Sequence, residues 1–223
     1  MAARQTRTNP GEKQKKASTR KKILKAARKV FAEHPYNAAS IRMIGKAADI
    51  DHPLVNYYFS TKSNLFQMVL KDIAEENYEA TQTFLKDMDK MNPYDGFSLY
   101  LDRLMAYNRK YPYAFRVLLL NMVQAEHSAT IPGYKIIQDI SRRTAQAFKN
   151  TVSLRASEEK MERFTTSFNL MIINYLGAKK YYAGILDMPA GSDPYENWVK
   201  ETLLYLFLPH LKNLIRGDEN AFL

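Results

Sequence analysis

Apolar residues recur along the chain at the three- and four-residue spacing of helices, from residue 23 to residue 207. The first such stripe contains Ile23, Ala27 and Phe31, and a late stripe contains Leu203 and Phe207. No pair of segments shows the alternation of paired strands, and no segment repeats internally. The pattern therefore predicts an all-α fold of about nine helices.

Capping residues indicate where several helices begin. Ser40 and Asp51 can cap short helices, because their side-chain oxygens can accept hydrogen bonds from free backbone N–H groups. Asn92 and Asp193 each precede a proline, a residue favoured in the first helical turn. Glu196 follows Asp193 at the spacing of a capping box. We therefore expect helices to start at each of these points.

The net charge of +10 is concentrated in the first third of the chain. Residues 1–71 contain 15 Lys and Arg against four Asp and Glu, whereas residues 72–223 contain 18 against 19. This asymmetry favours a polyanionic partner, with nucleic acid first and an anionic membrane surface second. The chain has no cysteine, which excludes disulfides and cysteine-based zinc sites. It has neither a membrane-length apolar run nor a signal peptide, so a cytoplasmic location is expected.

The segment from Ser40 to Phe59 reads as a short helix, a four-residue turn and a second short helix, preceded by a longer helix. A helix-turn-helix unit has this layout, and its second helix enters the DNA major groove. A small core is expected from Ile41, Ile44, Ala48, Ile50 and Val55. The outer face of the second helix would then carry His52, Pro53, Asn56 and Tyr57. An ordinary pair of surface helices has the same spacing, but Ser40 and Lys62 also lie at helix N-termini, which suit phosphate.

Residues 19–66, "TRKKILKAARKVFAEHPYNAASIRMIGKAADIDHPLVNYYFSTKSNLF", resemble the N-terminal domain of TetR-family transcriptional regulators. The resemblance implies that Ser40 and Lys62 hold DNA phosphates and that the second short helix contacts the groove and backbone. The candidate DNA-binding residues are Ser40, Arg42, His52, Pro53, Asn56, Tyr57 and Lys62. Asp49 stands where the family often has glycine, so the turn must rely on an aspartate tolerating an unusual backbone angle. Asn56 stands where tyrosine is frequent, which favours a base contact there.

The chain divides into three predicted parts. Residues 1–17 are polar and basic without an apolar stripe, and are predicted to be a disordered arm. Residues 18–71 form the helix-turn-helix domain, and residues 72–223 form an effector-binding and dimerisation domain. No flexible linker separates the two domains, so a long helix from Thr61 into the Tyr78 region is expected to join them.

Aromatic, methionine and asparagine residues are frequent in the second domain, and an apolar cavity with a few polar groups is typical of small-ligand sites. Plain core packing gives the same composition, but the resemblance implies an effector cavity. The candidate effector residues are Tyr100, Leu104, Tyr107, Phe115, Leu119, Met122, Phe168, Met171 and Tyr175. The resemblance also implies a two-fold dimer through the last two helices, with candidate contacts Phe164, Ile172, Trp198, Leu203, Leu206 and Phe207.

The predicted function is a dimeric repressor that binds a palindromic DNA operator and is released by a mostly apolar small molecule. Two alternatives stay open: a helical membrane-surface or small-molecule-binding protein without DNA function, and an all-α enzyme. Catalysis has little support, because the histidines are scattered and no phosphate loop or nucleophile motif occurs. We therefore expect no enzymatic activity, cofactor or metal.

Overall fold

The computed structural model describes residues 10–124, 131–152 and 154–217. Within these ranges the chain forms ten α-helices and one short 3₁₀ helix, and contains no strand. In chain order they are α1 (Pro10–Glu33), α2 (Ile41–Ala48), α3 (His52–Phe59), α4 (Lys62–Leu85), the 3₁₀ helix (Met88–Lys90), α5 (Pro93–Lys110), α6 (Ala114–Met122), α7 (Tyr134–Thr151), α8 (Glu158–Gly177), α9 (Lys179–Ile185) and α10 (Asp193–Arg216). The predicted all-α class is confirmed.

The one helix more than expected comes from a break after Gly177. Sequence spacing predicts a continuous helix to Gly184, but Ala178 leaves the helical conformation and α9 follows as a separate helix. Gly177 packs closely on α6, since a Cβ there would lie 2.8 Å from the carbonyl oxygen of Phe115. The end of α8 is therefore set by a contact with another helix, which local spacing does not report.

Helices α1, α2 and α3 pack together as the expected three-helix unit. Of the predicted small core, Ile44, Ala48 and Val55 are buried. Ile41 and Ile50 are half-buried and pack against the same core. The unit is thus closed on its inner side, which leaves the other faces of α2 and α3 to solvent.

Helix α4 belongs to both predicted domains. Its first half buries Leu65, Phe66 and Ile73, and its second half buries Phe84 and Leu85. It packs against α1 and α3 near its start and against α7 and α5 further along. The predicted domain boundary at residue 71 falls inside this unbroken helix. The three-helix unit is therefore attached to the rest of the chain by a helix and not by a loop.

Two expectations about helix starts need correction. Residues 10–17, predicted as part of a disordered arm, form the first turns of α1, while residues 1–9 lie outside the described ranges. Lys, Gln and Ala are good helix formers, and the buried later turns of α1 provide the nucleus from which these turns extend. The cap of α10 is Ser192, whose Oγ accepts from the Tyr195 N–H at 3.4 Å, so Asp193 is its first helical residue.

The second domain packs α8 between α6 and α10, with α5 against α10. Asn92 caps α5 as expected, its Oδ1 accepting the N–H groups of Tyr94 and Asp95 at 3.0 Å. Glu196 pairs with Arg109 across α5 and α10 and therefore does not form the expected capping box. Among the described helices, none is long and apolar enough to cross a bilayer.

Candidate nucleic-acid interface

The start of α2 is held by Ser40, whose Oγ accepts the backbone N–H of Met43 at 3.2 Å. The Ser40 hydroxyl is therefore engaged within the chain as a cap. The N–H groups of Ile41 and Arg42 precede the first intrahelical bonds, and such groups suit an anion. Arg42 is exposed in this first turn, whereas Ile44 anchors the helix in the core. The geometry places a cation and free helix N–H groups on one exposed corner.

The turn between α2 and α3 depends on Asp49 and Gly45. Asp49 has φ 50° and ψ 54°, which is the left-handed backbone conformation. The expectation that an aspartate adopts this unusual angle at the turn is therefore confirmed. The N–H of Ile50 donates to the Gly45 carbonyl at 2.9 Å. A Cβ at Gly45 would lie only 2.7 Å from the Ile50 carbonyl oxygen. Sequence spacing did not single out Gly45, although a glycine inside a short helix signals such a close approach.

Helix α3 is anchored by its buried residues Val55 and Phe59 and presents the opposite side to solvent. The Arg20 guanidinium of α1 lies 5.1 Å from the centre of the Phe59 ring, which adds a cation–π contact to this anchor. His52, Pro53, Asn56 and Tyr57, the residues predicted to face DNA, are all exposed. These four side chains lie on the outer face of one short helix and take no part in the core.

Lys62 begins α4 and is only half exposed. Its ammonium donates to the carbonyls of Tyr36 at 3.0 Å and Ala39 at 2.9 Å, and it lies 4.3 Å from the centre of the Tyr36 ring. These bonds hold the segment before α2 against the start of α4. They occupy two of the three N–H groups of the ammonium, so the expected phosphate contact of Lys62 stays a prediction.

An ion pair ties the three-helix unit to the second domain. Arg28 of α1 donates to both carboxylate oxygens of Glu76 in α4, at 2.7 and 2.5 Å, and both side chains are mostly buried. The same guanidinium lies 5.4 Å from the centre of the Tyr111 ring, which belongs to the connection between α5 and α6. Burial raises the pKa of nearby Asp72, and the charge of Glu76 raises it further. Planar, bidentate pairing of this kind fixes orientation as well as distance.

The candidate effector residues do not lie around one cavity. Tyr100, Leu104 and Phe115 line an interior cavity of about 30 Å³. Met122 lines a separate groove of about 550 Å³ between α7 and α8, and Met171 lines a third of about 740 Å³ between α8 and α10. The others pack elsewhere: Leu119 and Tyr107 in the core around α6, Phe168 among aromatic rings, and Tyr175 against Trp198.

Polar side chains that sequence spacing did not select also line the interior cavity. Asn77 and Thr81 reach it from α4, and Thr144 reaches it from α7. The Thr144 hydroxyl donates to the Asn77 side-chain oxygen at 3.0 Å. Burial raises the pKa of the Tyr100 hydroxyl, which keeps this wall neutral. The cavity thus has a polar side on α4 and α7 and an aromatic side on α5 and α6.

The candidate dimer residues also separate into two groups. Leu203 is fully buried and Ile172 is 4% exposed, so both pack inside the chain and cannot reach a partner, which corrects that part of the expectation. Leu206 lines the groove between α8 and α10, together with Phe164 and Phe207. Trp198 is half-buried on the same helix. The groove is therefore the part of this surface that is open to contact.

The three-helix unit, with an anchored inner side and a polar outer face on α3, defines the helix-turn-helix class of DNA-binding proteins. Residues 23–69 match the family model described as bacterial regulatory proteins of the tetR family. This segment is therefore a DNA-binding domain of the tetR type.

Individual relatives agree with this assignment. The HTH-type transcriptional repressor AcnR of Corynebacterium glutamicum is 29% identical over 97 residues, a match that covers 40% of this chain and 50% of that protein. The chain thus spans about half the length of this curated relative.

Solved structures extend the likeness to most of the fold. A TetR-family regulator from Mesorhizobium loti has a TM-score of 0.61 at 13% identity, covering 91% of this chain and 97% of its own. A TetR-family regulator from Streptomyces coelicolor has a TM-score of 0.57 at 14% identity, covering 90% and 88%. At these identities the likeness concerns the fold.

Proposed function

We propose that the protein is a sequence-specific DNA-binding transcriptional regulator that acts in the cytoplasm as a repressor. The observation that carries this proposal is the division of α3 into a buried anchor, Val55 and Phe59, and an exposed polar face. Asn56 can donate to and accept from a base edge, and the Tyr57 hydroxyl suits a phosphate. Tyr57 is 68% exposed, so its hydroxyl is open to a partner.

Charge supports the same assignment. The 15 basic and four acidic residues of residues 1–71 provide the sequence-independent attraction on which DNA binding rests. Arg42 and Lys46 are exposed on α2, beside the outer face of α3. Lys21, Lys22 and Lys25 are exposed on α1. A membrane-surface protein shares the basic charge, but it leaves the outward Asn56 unexplained.

A two-fold dimer is proposed through the groove between α8 and α10. Its floor is apolar, with Phe164, Met171 and Phe207, and Leu206 is half exposed at its side. The same two helices of a second copy would fill it, because a two-fold interface joins identical surfaces. Such a dimer presents two α3 helices about one DNA turn apart, or a multiple of it, and so recognises a palindrome.

The proposed effector site is the interior cavity. Of the candidate effector residues, Tyr100, Leu104 and Phe115 line it. Its volume of about 30 Å³ is close to that of one water, whereas ligand sites usually measure about 300–1,000 Å³. Binding therefore requires the surrounding helices to separate. A mostly apolar molecule with a polar group suits a cavity whose aromatic side faces Asn77 and Thr144.

The decisive experiment is selection of genomic DNA fragments by the purified protein, followed by footprinting. We expect one palindromic sequence to be enriched and protected. The same preparation is tested against anionic liposomes. Liposome binding without enrichment of any DNA sequence would favour the membrane-surface alternative, and binding to neither would leave a ligand-binding protein without DNA function.

A further inference from the structure

A buried asparagine of the second domain holds the DNA-binding unit by a hydrogen bond. Asn121 lies in the last turn of α6 and is 0% exposed. Its Nδ2 donates to the Val117 carbonyl at 2.8 Å, which fixes the orientation of the side-chain amide. Its Oδ1 then accepts the backbone N–H of Tyr36 at 2.9 Å. A polar side chain buried this deeply serves the group that it bonds.

Tyr36 is the centre of the segment that leads into α2. Its carbonyl accepts from Lys62 at 3.0 Å, and its ring lies beneath the Lys62 ammonium and 5.0 Å from the ring of Phe66. Lys62 also binds the carbonyl of Ala39, the residue before the cap Ser40. The bond from Asn121 therefore reaches the start of α2 and the start of α4 through one short segment.

The chemistry of this contact leaves little choice of side chain. Tyr36 lies outside the helices, so its N–H has no helical acceptor. It donates instead to the side-chain oxygen of Asn121 on α6. An apolar residue at position 121 would leave this half-buried donor without its acceptor, and an unpaired N–H away from water is costly. The contact is also long-range, since the two residues are 85 positions apart. It thus orients one domain on the other.

We propose that Asn121 is a positioning residue for DNA binding, supplied by the second domain to the helix-turn-helix unit. Its side chain sets the position of Tyr36, and Tyr36 with Lys62 sets the start of α2 relative to α3 and α4. This inference rests on the proposed DNA-binding function. It concerns discrimination between sequences, because the exposed lysines and arginines that attract DNA in general do not depend on the bond.

The test compares Asn121→Leu with Thr165→Val in the full chain. Leucine has the same number and branching of side-chain heavy atoms as asparagine but cannot accept a hydrogen bond. Thr165 is also buried, and its hydroxyl bonds within α8 to the carbonyls of Met161 and Glu162, so its loss provides a matched control without contact to the DNA-binding unit. Asn121→Ser serves as a second variant if the leucine variant does not fold.

Three quantities are measured where circular dichroism shows every variant to be folded. They are the affinity for the enriched genomic fragment, the affinity for random duplex DNA, and the rate of hydrogen exchange at the Tyr36 amide. For Asn121→Leu we expect affinity for the fragment to fall about tenfold or more, with a smaller change on random DNA and faster exchange at Tyr36. Thr165→Val should leave all three unchanged.

Equal loss of affinity in both variants, or unchanged discrimination in Asn121→Leu, overturns the inference. Failure of the unaltered protein to enrich any DNA sequence is a different outcome, because it rejects the proposed function itself. The Tyr36 exchange rate still reports on the contact in that case, and an unchanged rate in Asn121→Leu rejects the positioning role independently of DNA.

Discussion

Arg42 and Asn56 allow the two kinds of DNA contact to be separated, since both side chains are exposed and neither supports the core. Replacing Arg42 by Ala should weaken binding to every sequence and flatten the slope of log K against log salt by about one, the contribution of one phosphate. Titrations at several salt concentrations on operator and random DNA measure both effects. An unchanged slope would remove Arg42 from the phosphate contacts.

Asn56→Ala should instead leave the salt slope unchanged and reduce discrimination at one base pair by about 1–3 kcal/mol. The reason is that an amide can bond a base edge in both directions, whereas alanine cannot. The measurement is a comparison of the operator with variants altered at single base pairs. Equal weakening on operator and random duplexes would assign Asn56 to the DNA backbone.

A substitution of Lys62 distinguishes a structural role, in which it holds the segment before α2, from direct contact with DNA. Lys62→Met keeps the length of the side chain but removes the bonds to the carbonyls of Tyr36 and Ala39. Each hydrogen bond from a charged group contributes about 1.5–3 kcal/mol, so urea denaturation should show a clear loss of stability. DNA affinity should fall, and an unchanged salt slope would show that Lys62 acts only by holding the segment before α2. A slope flatter by about one would show that Lys62 also contacts a phosphate.

For single residues, local sequence signals predicted some roles and missed others, and the reason is physical. Ser40 was found because a cap acts within three residues, and Asp49 because the resemblance places a glycine at its turn. The bonds of Lys62 to Tyr36 span 26 positions, and that of Asn121 spans 85. No local spacing encodes such pairs.

Among the elements, the first turns of α1 offer a test of the basic arm. Residues 14–18 are exposed, and the first buried residue of α1 is Ile23. Deleting residues 1–16 should therefore leave the thermal transition nearly unchanged, because the described core of α1 begins at Ile23. The affinity for DNA should fall, since five of the deleted residues are Lys or Arg. Retention of full affinity would make this segment irrelevant to DNA binding.

The packing of α2 against its turn predicts a contrast between two glycines. Gly45→Ala should destabilise the protein by about 1–3 kcal/mol, because its Cβ would meet the backbone oxygen of Ile50 at 2.7 Å. Gly184→Ala in α9 has no atom within 4 Å and should be neutral or slightly stabilising. Urea denaturation of both variants measures the difference. Similar stabilities would show that the turn gives way to a side chain.

Sequence periodicity predicted the elements where each helix had its own apolar stripe, as in α4 and α5. It failed where a tertiary contact decided the outcome. The end of α8 follows from the fit of Gly177 against α6, and the pairing of Glu196 with Arg109 of α5 takes its carboxylate away from the start of α10. The effector residues were likewise chosen by composition and by the resemblance, and their separation into one cavity, two grooves and the surrounding core depends on how the helices are arranged.

For the whole molecule, the proposed dimer makes a prediction about association. Leu206→Glu should convert a dimer into a monomer, because a carboxylate would have to be buried in the apolar groove between α8 and α10. Tyr78→Glu is the control, since Tyr78 is half exposed on α4 and lies outside that groove. Sedimentation of the folded variants measures the change. Dimers that persist in Leu206→Glu would place the interface elsewhere.

The unbroken course of α4 has a consequence for how such chains can be recombined. A hybrid made by joining residues 1–71 to the remainder of a related protein cuts through α4 and not through a loop. It separates Arg28 from Glu76 and Tyr36 from Asn121, two polar contacts that join the parts. A hybrid keeps its operator preference only if the incoming part supplies a carboxylate and an amide at these positions. Modularity in this protein is therefore a property of matched residue pairs and not of a cut point along the chain.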